Sequence, residues 1–235
     1  MSGCARPKVP EKGSEAYANA ARTFYVGLAA LEVGNDVRAD SELAKFVQLA
    51  PGEPAGWANW GMLALRQRNY DPAAERLKRA QELAPKNGHI QYLQGLVESG
   101  RGNSQAAISA LGRAVAADPG NLRAAYQLAQ EVERQGGGAT ETEFGEIIQN
   151  MLKVQPANLA VLVELARFQA KQGERSGLEA TLGRISAQSA NWPPEVKREL
   201  SLLENAVSGP DTRAAATRTV FLRNTLMRVP EYRQA

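Results

Sequence analysis

Prolines recur at nearly constant spacing along this chain of 235 residues, and the spacing restricts the possible folds more than any other feature. Pro51, Pro85 and Pro119 follow one another at intervals of 34, and Pro156 and Pro193 follow at intervals of 37. A fixed period in this range is typical of a solenoid, in which short helical units stack because none can bury its apolar face alone. The sequence therefore predicts an all-α array of repeats that offers an extended surface to a partner.

The clearest repeat ends at Pro85 and carries small and aromatic residues at fixed positions. The residues that set the pattern are Trp57, Trp60, Gly61, Ala73, Leu77, Ala80 and Pro85. A shift by one such interval in either direction places Gly27 and Gly95 at the position of Gly61. Glycine inside a helix costs about 1 kcal/mol relative to alanine, so three glycines at one position indicate that two helices approach closely there. This pattern resembles the tetratricopeptide repeat.

The resemblance implies a right-handed superhelical solenoid of about five helix-turn-helix units, followed by a C-terminal capping helix pair. A flexible tether over residues 1–14 would precede an array over residues 15–192. The expected units lie near residues 16–51, 52–85, 86–119, 120–156 and 157–192, and the cap or degenerate sixth repeat spans residues 193–235. Three glycines, Gly136 to Gly138, account for the longer fourth unit. Thr140 and Ser176, each followed three residues later by a glutamate, predict capping boxes at two second helices.

Composition and motifs argue against several classes of protein. The chain has one cysteine and one histidine, which excludes an internal disulfide framework and a His/Cys metal cage. The glycine run at 136–138 is not followed by the Lys-Ser or Lys-Thr of a phosphate-binding loop, and the sequence contains no nucleophile elbow. The sequence predicts that the protein is not an enzyme and that it needs no cofactor or metal.

In the tetratricopeptide family, the first helix of each unit lines a concave groove that binds partners. Projected onto this sequence, the groove residues are Phe24, Leu28, Met62, Arg66, Tyr92, Leu96, Arg123, Tyr126, Gln130, Arg134, Arg167 and Lys171. The N-terminal half of such a groove is apolar and aromatic and the C-terminal half is basic, which suits a peptide with apolar anchors and an acidic end. In the alternative interpretation, the apolar members only pack against the adjoining helix.

A second hypothesis concerns the C-terminal segment, which holds the whole net charge of +3. Its arginines 213, 218, 223 and 228 have no acidic residue between Thr212 and Pro230, and could favour nucleic acid or an anionic surface. However, residues five apart advance about 140° around a helix, so these arginines form no stripe. A solvated cap is the favoured interpretation, and no nucleic-acid partner is expected.

The two ends suggest how the array is placed in a cell. Ser2-Gly3-Cys4 resembles the last positions of the signal of bacterial lipoproteins, which are acylated on the cysteine. Acylation would anchor the protein in the periplasm or at the outer membrane, as in envelope-assembly lipoproteins with similar repeats. Without acylation, the expected location is the cytoplasm. The last dozen residues resemble the segment that, in some bacterial proteins, connects tetratricopeptide repeats to a following domain. A further domain after Ala235 is therefore expected.

Overall fold

In the computed structural model, which describes residues 9–209 and 214–234, every regular element is an α-helix. The chain divides between Gln135 and Gly136 into two compact units, here called unit 1 and unit 2. In the part of the chain that is described, no helix is both long enough and apolar enough to cross a membrane. The predicted all-α class is confirmed.

Unit 1 consists of three helix hairpins and a seventh helix. Its helices are α1 (Glu15–Glu32), α2 (Asp36–Leu49), α3 (Pro54–Arg66), α4 (Tyr70–Leu83), α5 (Gly88–Gly100), α6 (Ser104–Ala117) and α7 (Leu122–Gln135). The two helices of each hairpin pack together, and the second helix packs against the first helix of the next hairpin. The odd-numbered helices, here called A helices, are therefore neighbours in chain order.

Asparagines that follow the repeat prolines begin the A helices. The side chains of Asn87, Asn121 and Asn158 each accept a hydrogen bond of 3.1 Å from the backbone N–H three residues later. This bond satisfies one of the free N–H groups that every helix start exposes. The sequence Pro-x-Asn therefore ends one repeat and starts the next.

The prolines are also tied to the A helices by their carbonyl groups. The indole N–H of Trp57 donates to the Pro51 carbonyl at 3.0 Å, and the Gln91 amide donates to the Pro85 carbonyl at 2.9 Å. Trp57 and Gln91 occupy the same position in two successive repeats. The period therefore repeats hydrogen bonds as well as packing, although the side chains that make them differ.

The glycines predicted at helix contacts lie where the two helices of a hairpin meet. A Cβ atom added to Gly61 would lie 2.7 Å from Leu77 Cγ, and one added to Gly95 would lie 2.5 Å from Leu111 Cγ. Leu77 and Leu111 are fully buried, at 0% exposure. Only glycine leaves room for these leucines, because real Cβ atoms do not approach other carbons so closely.

Each hairpin turn of unit 1 contains one residue in the left-handed backbone region. Gly34, Arg68 and Gly102 have φ angles of 73°, 60° and 81°, and they occupy one position in three successive repeats. Only Arg68 carries a Cβ atom at this position, where residues other than glycine are strained by about 1–2 kcal/mol.

We expect Arg68→Gly to stabilise the protein by about 1 kcal/mol, because the substitution removes this strain from an exposed turn residue. Gly102→Ala is the matched control and should destabilise it by about 1 kcal/mol, since the added Cβ meets no neighbouring atom and only the backbone is strained. Urea denaturation measures both through the midpoint of unfolding. A lower midpoint for Arg68→Gly would show that the arginine side chain stabilises the turn.

Unit 2 is built around one buried helix. Its helices are α8 (Gly138–Val154), α9 (Leu159–Gln172), α10 (Arg175–Ser186), α11 (Pro194–Ser208), α12 (Ala214–Leu226) and α13 (Pro230–Gln234). Helix α9 packs against α8, α10, α12 and α13, and nine of its fourteen residues are buried. The capping helices therefore do more than end the array, because α12 covers a face of α9.

The two predicted capping boxes are wrong. Helix α8 begins at Gly138 and α10 begins at Arg175, so Thr140 and Ser176 lie inside the first turns and not at the caps. The Thr140 hydroxyl donates to the Gly137 carbonyl at 2.6 Å instead of accepting an N–H bond. Both helices start two or more residues earlier than the motif indicates.

Candidate functional site

The A helices of unit 1 present a row of half-buried side chains. This row, here called the A-helix face, contains six of the predicted groove residues: Phe24, Leu28, Met62, Tyr92, Leu96 and Tyr126. Met62 contacts the buried clusters of both the first and the second hairpin, and Tyr92 and Leu96 pack on the second cluster. These side chains therefore pack on the core and still expose part of their surface, and their binding of a partner stays a prediction.

A small, mainly apolar pocket, which Glu53 also lines, lies at the N-terminal end of the A-helix face. Here called the aromatic pocket, it has a volume of about 170 Å³, and its walls include Val9, Tyr17, Ala21, Phe24, Tyr25 and Ala55. The Phe24 ring lies 4.6 Å from the Phe46 ring, which fixes it against α2, and 5.8 Å from the Tyr25 ring in an edge-on contact. Tyr25 is 68% exposed, so this ring is available to a ligand.

Most of the aromatic pocket was missed by projection of the family's groove positions. Of its walls, only Phe24 was predicted. Tyr17, Ala21 and Tyr25 are four residues apart on one face of α1, which is a signal that the sequence contains. Val9 precedes α1 and Ala55 belongs to the next hairpin. The spacing of residues in the sequence does not predict that these two line the pocket.

Arg66, another predicted groove residue, links neighbouring hairpins. Its guanidinium donates to the Leu31 carbonyl at 2.9 Å and forms an ion pair with Asp36. At the next junction Arg101 pairs with Asp71, and at the junction after that the Gln135 amide donates to the Gln105 side chain at 2.8 Å. We call these three contacts the junction latches. The charge of Arg66 is therefore largely neutralised within the fold.

The hydrogen bond between Arg101 and Asp71 is strong enough to raise the pKa of Arg101 above its ordinary value. Asp71 itself is almost fully exposed, so the pair is open to solvent on one side. The latch at this junction is thus an ion pair at the surface, of the kind that contributes roughly 0–1 kcal/mol.

The basic end of the predicted groove lies on α7. Arg123 and Gln130 are exposed there. Arg134 pairs at 3.0 Å with Glu131, whose side chain is only 1% exposed and also accepts a hydrogen bond from the Ser99 hydroxyl. Arg134 compensates a buried carboxylate, so Arg123 is the cation on this face that has no ion pair among the described residues.

The last two predicted groove residues belong to unit 2. The Arg167 guanidinium donates to Glu164 at 2.7 Å and lies 5.8 Å from the centre of the Phe144 ring, and its side chain is 13% exposed. Arg223 of α12 donates to the other oxygen of Glu164 at 3.3 Å. Because these contacts occupy the guanidinium, we exclude Arg167 from the candidate site. Lys171 is exposed in the last turn of α9.

The C-terminal arginines point to separate neighbours. Arg218 lies over the Phe221 ring at 5.8 Å, Arg223 pairs with Glu164, and Arg228 pairs with Glu195 at 3.1 Å. These three arginines therefore do not form one cluster that could bind an anionic partner. Arg213, and Cys4 with its predicted acylation, lie outside the described residues.

Stacked helix hairpins with a half-buried apolar row on their first helices define a helical-repeat protein. Residues 59–122 and 92–136 match the sequence profile of the tetratricopeptide repeat family. The chain therefore contains tetratricopeptide repeats within residues 59–136. None of the curated proteins matches the sequence significantly.

Solved structures support the fold. PilF of Pseudomonas aeruginosa is 17% identical, with a TM-score of 0.66 over 94% of this chain and 98% of its own. MamA is 18% identical, with a TM-score of 0.64 over 74% of this chain and 95% of its own. YrrB, a tetratricopeptide protein with an unusual peptide-binding site, is 17% identical, with a TM-score of 0.59 over 79% and 91%. The predicted solenoid of tetratricopeptide units is confirmed.

Proposed function

We propose that the protein is an interaction scaffold that binds a segment of a partner protein along the A-helix face. The observation that carries this proposal is the aromatic pocket, with an exposed tyrosine beside a phenylalanine ring held in place. An apolar protein cavity of about 150 Å³ can hold a benzene molecule, so a pocket of about 170 Å³ has room for one apolar side chain of a ligand.

The residues further along the A-helix face indicate which other side chains the partner segment carries. Met62, Tyr92 and Leu96 offer an apolar surface with partly exposed side chains, which suits further apolar contacts. At the other end, Arg123 offers a positive charge without an ion pair among the described residues. A partner segment with an apolar anchor at one end and an acidic residue at the other complements this order.

The test uses a substitution that fills the aromatic pocket without removing a core side chain. Ala21→Arg places a long side chain into the pocket, and Ala29→Arg, on an exposed part of the same helix, is the matched control. A peptide selected from a random phage-displayed library against the unaltered protein is measured by fluorescence anisotropy. We expect Ala21→Arg to weaken binding by about tenfold or more, which is about 1.4 kcal/mol, and Ala29→Arg to leave it unchanged.

Equal binding by both variants would move the peptide site away from the aromatic pocket. Circular dichroism must show the same helicity for both variants, since a loss of fold would also weaken binding. Hydrogen exchange of the complex then shows whether the amides of α1 and α3 become protected, as contact with the pocket requires.

The cellular setting rests on the sequence Ser2-Gly3-Cys4, and we propose that Cys4 is acylated and anchors the scaffold in a bacterial envelope. Two acyl chains are sufficient for stable attachment to a bilayer. The test is metabolic labelling with radioactive palmitate of the protein expressed from its natural gene. Label that disappears in Cys4→Ser supports the anchor, and an unlabelled natural protein contradicts it.

A further inference from the structure

The first two junctions between hairpins are filled in different ways on the side of the second helices. At the first junction, Trp60 of α3 fills the space between α2 and α4. Its indole N–H donates to Asp40 at 2.7 Å, and the Arg76 guanidinium lies 3.7 Å above its ring. Arg76 also donates to the Trp60 carbonyl at 3.1 Å. We call Asp40, Trp60 and Arg76 the junction plug.

The three residues of the junction plug contact one another and satisfy one another's charges and hydrogen bonds. Burial lowers the pKa of Arg76, and the neighbouring carboxylates of Asp40 and Glu75 oppose this shift. Arg76 lies 3.6 Å from Asp40, so the ring, the cation and the carboxylate satisfy one another. The first junction is therefore filled by side chains that are one another's partners.

At the second junction, one repeat later, all three plug residues are replaced by smaller or neutral ones. The corresponding residues are Ala74, Gln94 and Ala110, and all three line a cavity of about 380 Å³ between α4 and α6. The Gln94 amide donates to the Gln81 side chain at 2.9 Å at the side of this cavity. The α4–α6 cavity thus occupies the space that an aromatic ring and a guanidinium fill one repeat earlier.

The walls of the α4–α6 cavity combine apolar and cationic groups. Val97 and Ala110 are 1% and 3% exposed and form part of its floor. Lys78 and Arg113 also line it, and within residues 9–209 and 214–234 neither forms an ion pair. Arg113 donates to the Ser109 hydroxyl at 2.9 Å. One carboxylate, Glu98, lines the cavity and is paired with Arg101 at 3.2 Å.

The repeat register explains why Arg113 lacks an acidic partner. Its counterpart one repeat earlier, Arg79, pairs with Glu82 at 2.8 Å. The residue that corresponds to Glu82 is Ala116, so the carboxylate is absent. The second junction has therefore lost the acid beside this arginine, and this loss leaves positive charge at the cavity. The acid and the arginine of the plug are lost together, so their replacement does not change the net charge.

We propose that the α4–α6 cavity is a second binding site, which takes an aromatic side chain flanked by carboxylates from a partner protein. The aromatic group follows from the equivalent space, which holds the Trp60 indole. The carboxylates follow from Lys78 and Arg113, whose charges favour an acidic ligand. Gln94 lies about 200° around α5 from Tyr92, so this site is separate from the A-helix face and both can be occupied together.

The test uses fluorescein-labelled heptapeptides with Gly-Ser at each end and a central Glu-Trp-Glu, Glu-Ala-Glu or Lys-Trp-Lys. Anisotropy titrations with the full chain at low salt measure their affinities. We expect Glu-Trp-Glu to bind at least about tenfold more tightly than either other peptide, which is about 1.4 kcal/mol. Equal affinity for Glu-Trp-Glu and Lys-Trp-Lys would overturn the assignment of carboxylates, and equal affinity for Glu-Ala-Glu would overturn the aromatic one.

Two variants locate the binding. The triple substitution Ala74→Asp, Gln94→Trp and Ala110→Arg copies the junction plug into the second junction and should abolish binding of Glu-Trp-Glu. If this variant unfolds, a double substitution tests the proposal instead. Lys78→Gln with Arg113→Gln changes only exposed residues and should lower the affinity for Glu-Trp-Glu at least about tenfold. Unchanged affinity in a folded triple variant or in the double variant would overturn the proposal. Ala21→Arg, which blocks the aromatic pocket, should bind this peptide normally.

Discussion

Replacing Gly95 by alanine is expected to destabilise unit 1 by about 2–3 kcal/mol, although alanine is the better helix former. The new Cβ atom would lie 2.5 Å from Leu111 Cγ, 2.7 Å from Leu111 Cδ2 and 3.3 Å from the Leu111 backbone nitrogen. Leu111 is fully buried and cannot turn away without displacing its neighbours. Helices α5 and α6 must separate to admit one methyl group, because the interior is close-packed.

Gly112→Ala is the matched control for this prediction. Gly112 lies inside α6, and a Cβ atom built on it meets no atom within 4 Å. The same change should therefore stabilise the protein by about 0.5–1 kcal/mol through helix propensity alone. Midpoints of urea denaturation, with hydrogen exchange of α5 and α6, measure both variants. If Gly95→Ala also stabilises, the close approach of the two helices is not what requires glycine at this position.

Replacing Glu164 by glutamine should destabilise unit 2 by about 3 kcal/mol. The Glu164 side chain is 8% exposed and binds Arg167 at 2.7 Å through one oxygen and Arg223 at 3.3 Å through the other. Glutamine keeps the size of the side chain but leaves two guanidinium groups beside a neutral amide. Because Arg167 is itself largely buried, the loss of its ion pair with Glu164 is costly. Hydrogen exchange should show lower protection of α9 and α12, with α3 to α6 unchanged.

An ion pair made by Arg228, in the turn that follows α12, provides the control for Glu164. Arg228 and Glu195 are 3.1 Å apart, with side chains that are 68% and 48% exposed. Such surface pairs contribute little, since water and salt screen them. Arg228→Ala should leave the protection of α9 and α12 unchanged. A loss as large as that of Glu164→Gln would mean that α12 is held mainly at its C-terminal end and not through the buried carboxylate.

The sequence contains enough information to predict the hairpins of unit 1. Prolines, helix-contact glycines and buried alanines repeat there with one constant period, and each has a local physical role that the structure shows. The same register locates the A-helix face, since Phe24, Met62 and Tyr92 follow from their positions in the repeat. The aromatic pocket was not predictable in this way, because Val9 lies outside the repeats.

The roles of the arginines could not be predicted from the register. Whether Arg66 faces a ligand or an acid depends on Asp36, which is distant in the sequence and on another helix. Arg134 and Arg167 each lie three residues after a glutamate, a spacing common on solvated helices. Nothing in that spacing distinguishes the buried carboxylates of Glu131 and Glu164 from exposed ones.

The sequence of α9 indicates how unit 2 packs, although the repeat pattern alone does not predict it. Helix α9 reads Leu-Ala-Val-Leu-Val-Glu-Leu-Ala, which is apolar on all sides instead of on one stripe. A helix of this kind is buried all round, so it needs a neighbour on the face that a tetratricopeptide unit leaves open. In the structure, α12 supplies that neighbour.

Because of the junction latches, the couplings between the hairpins of unit 1 respond differently to ionic strength. In a stacked repeat protein, cooperativity comes from the coupling between each hairpin and the next. The first two latches are ion pairs, and the third is a hydrogen bond between two uncharged amides. Rising ionic strength weakens the first two couplings and spares the third. Salt concentration therefore sets how far an opening that begins at the first hairpin spreads along the stack.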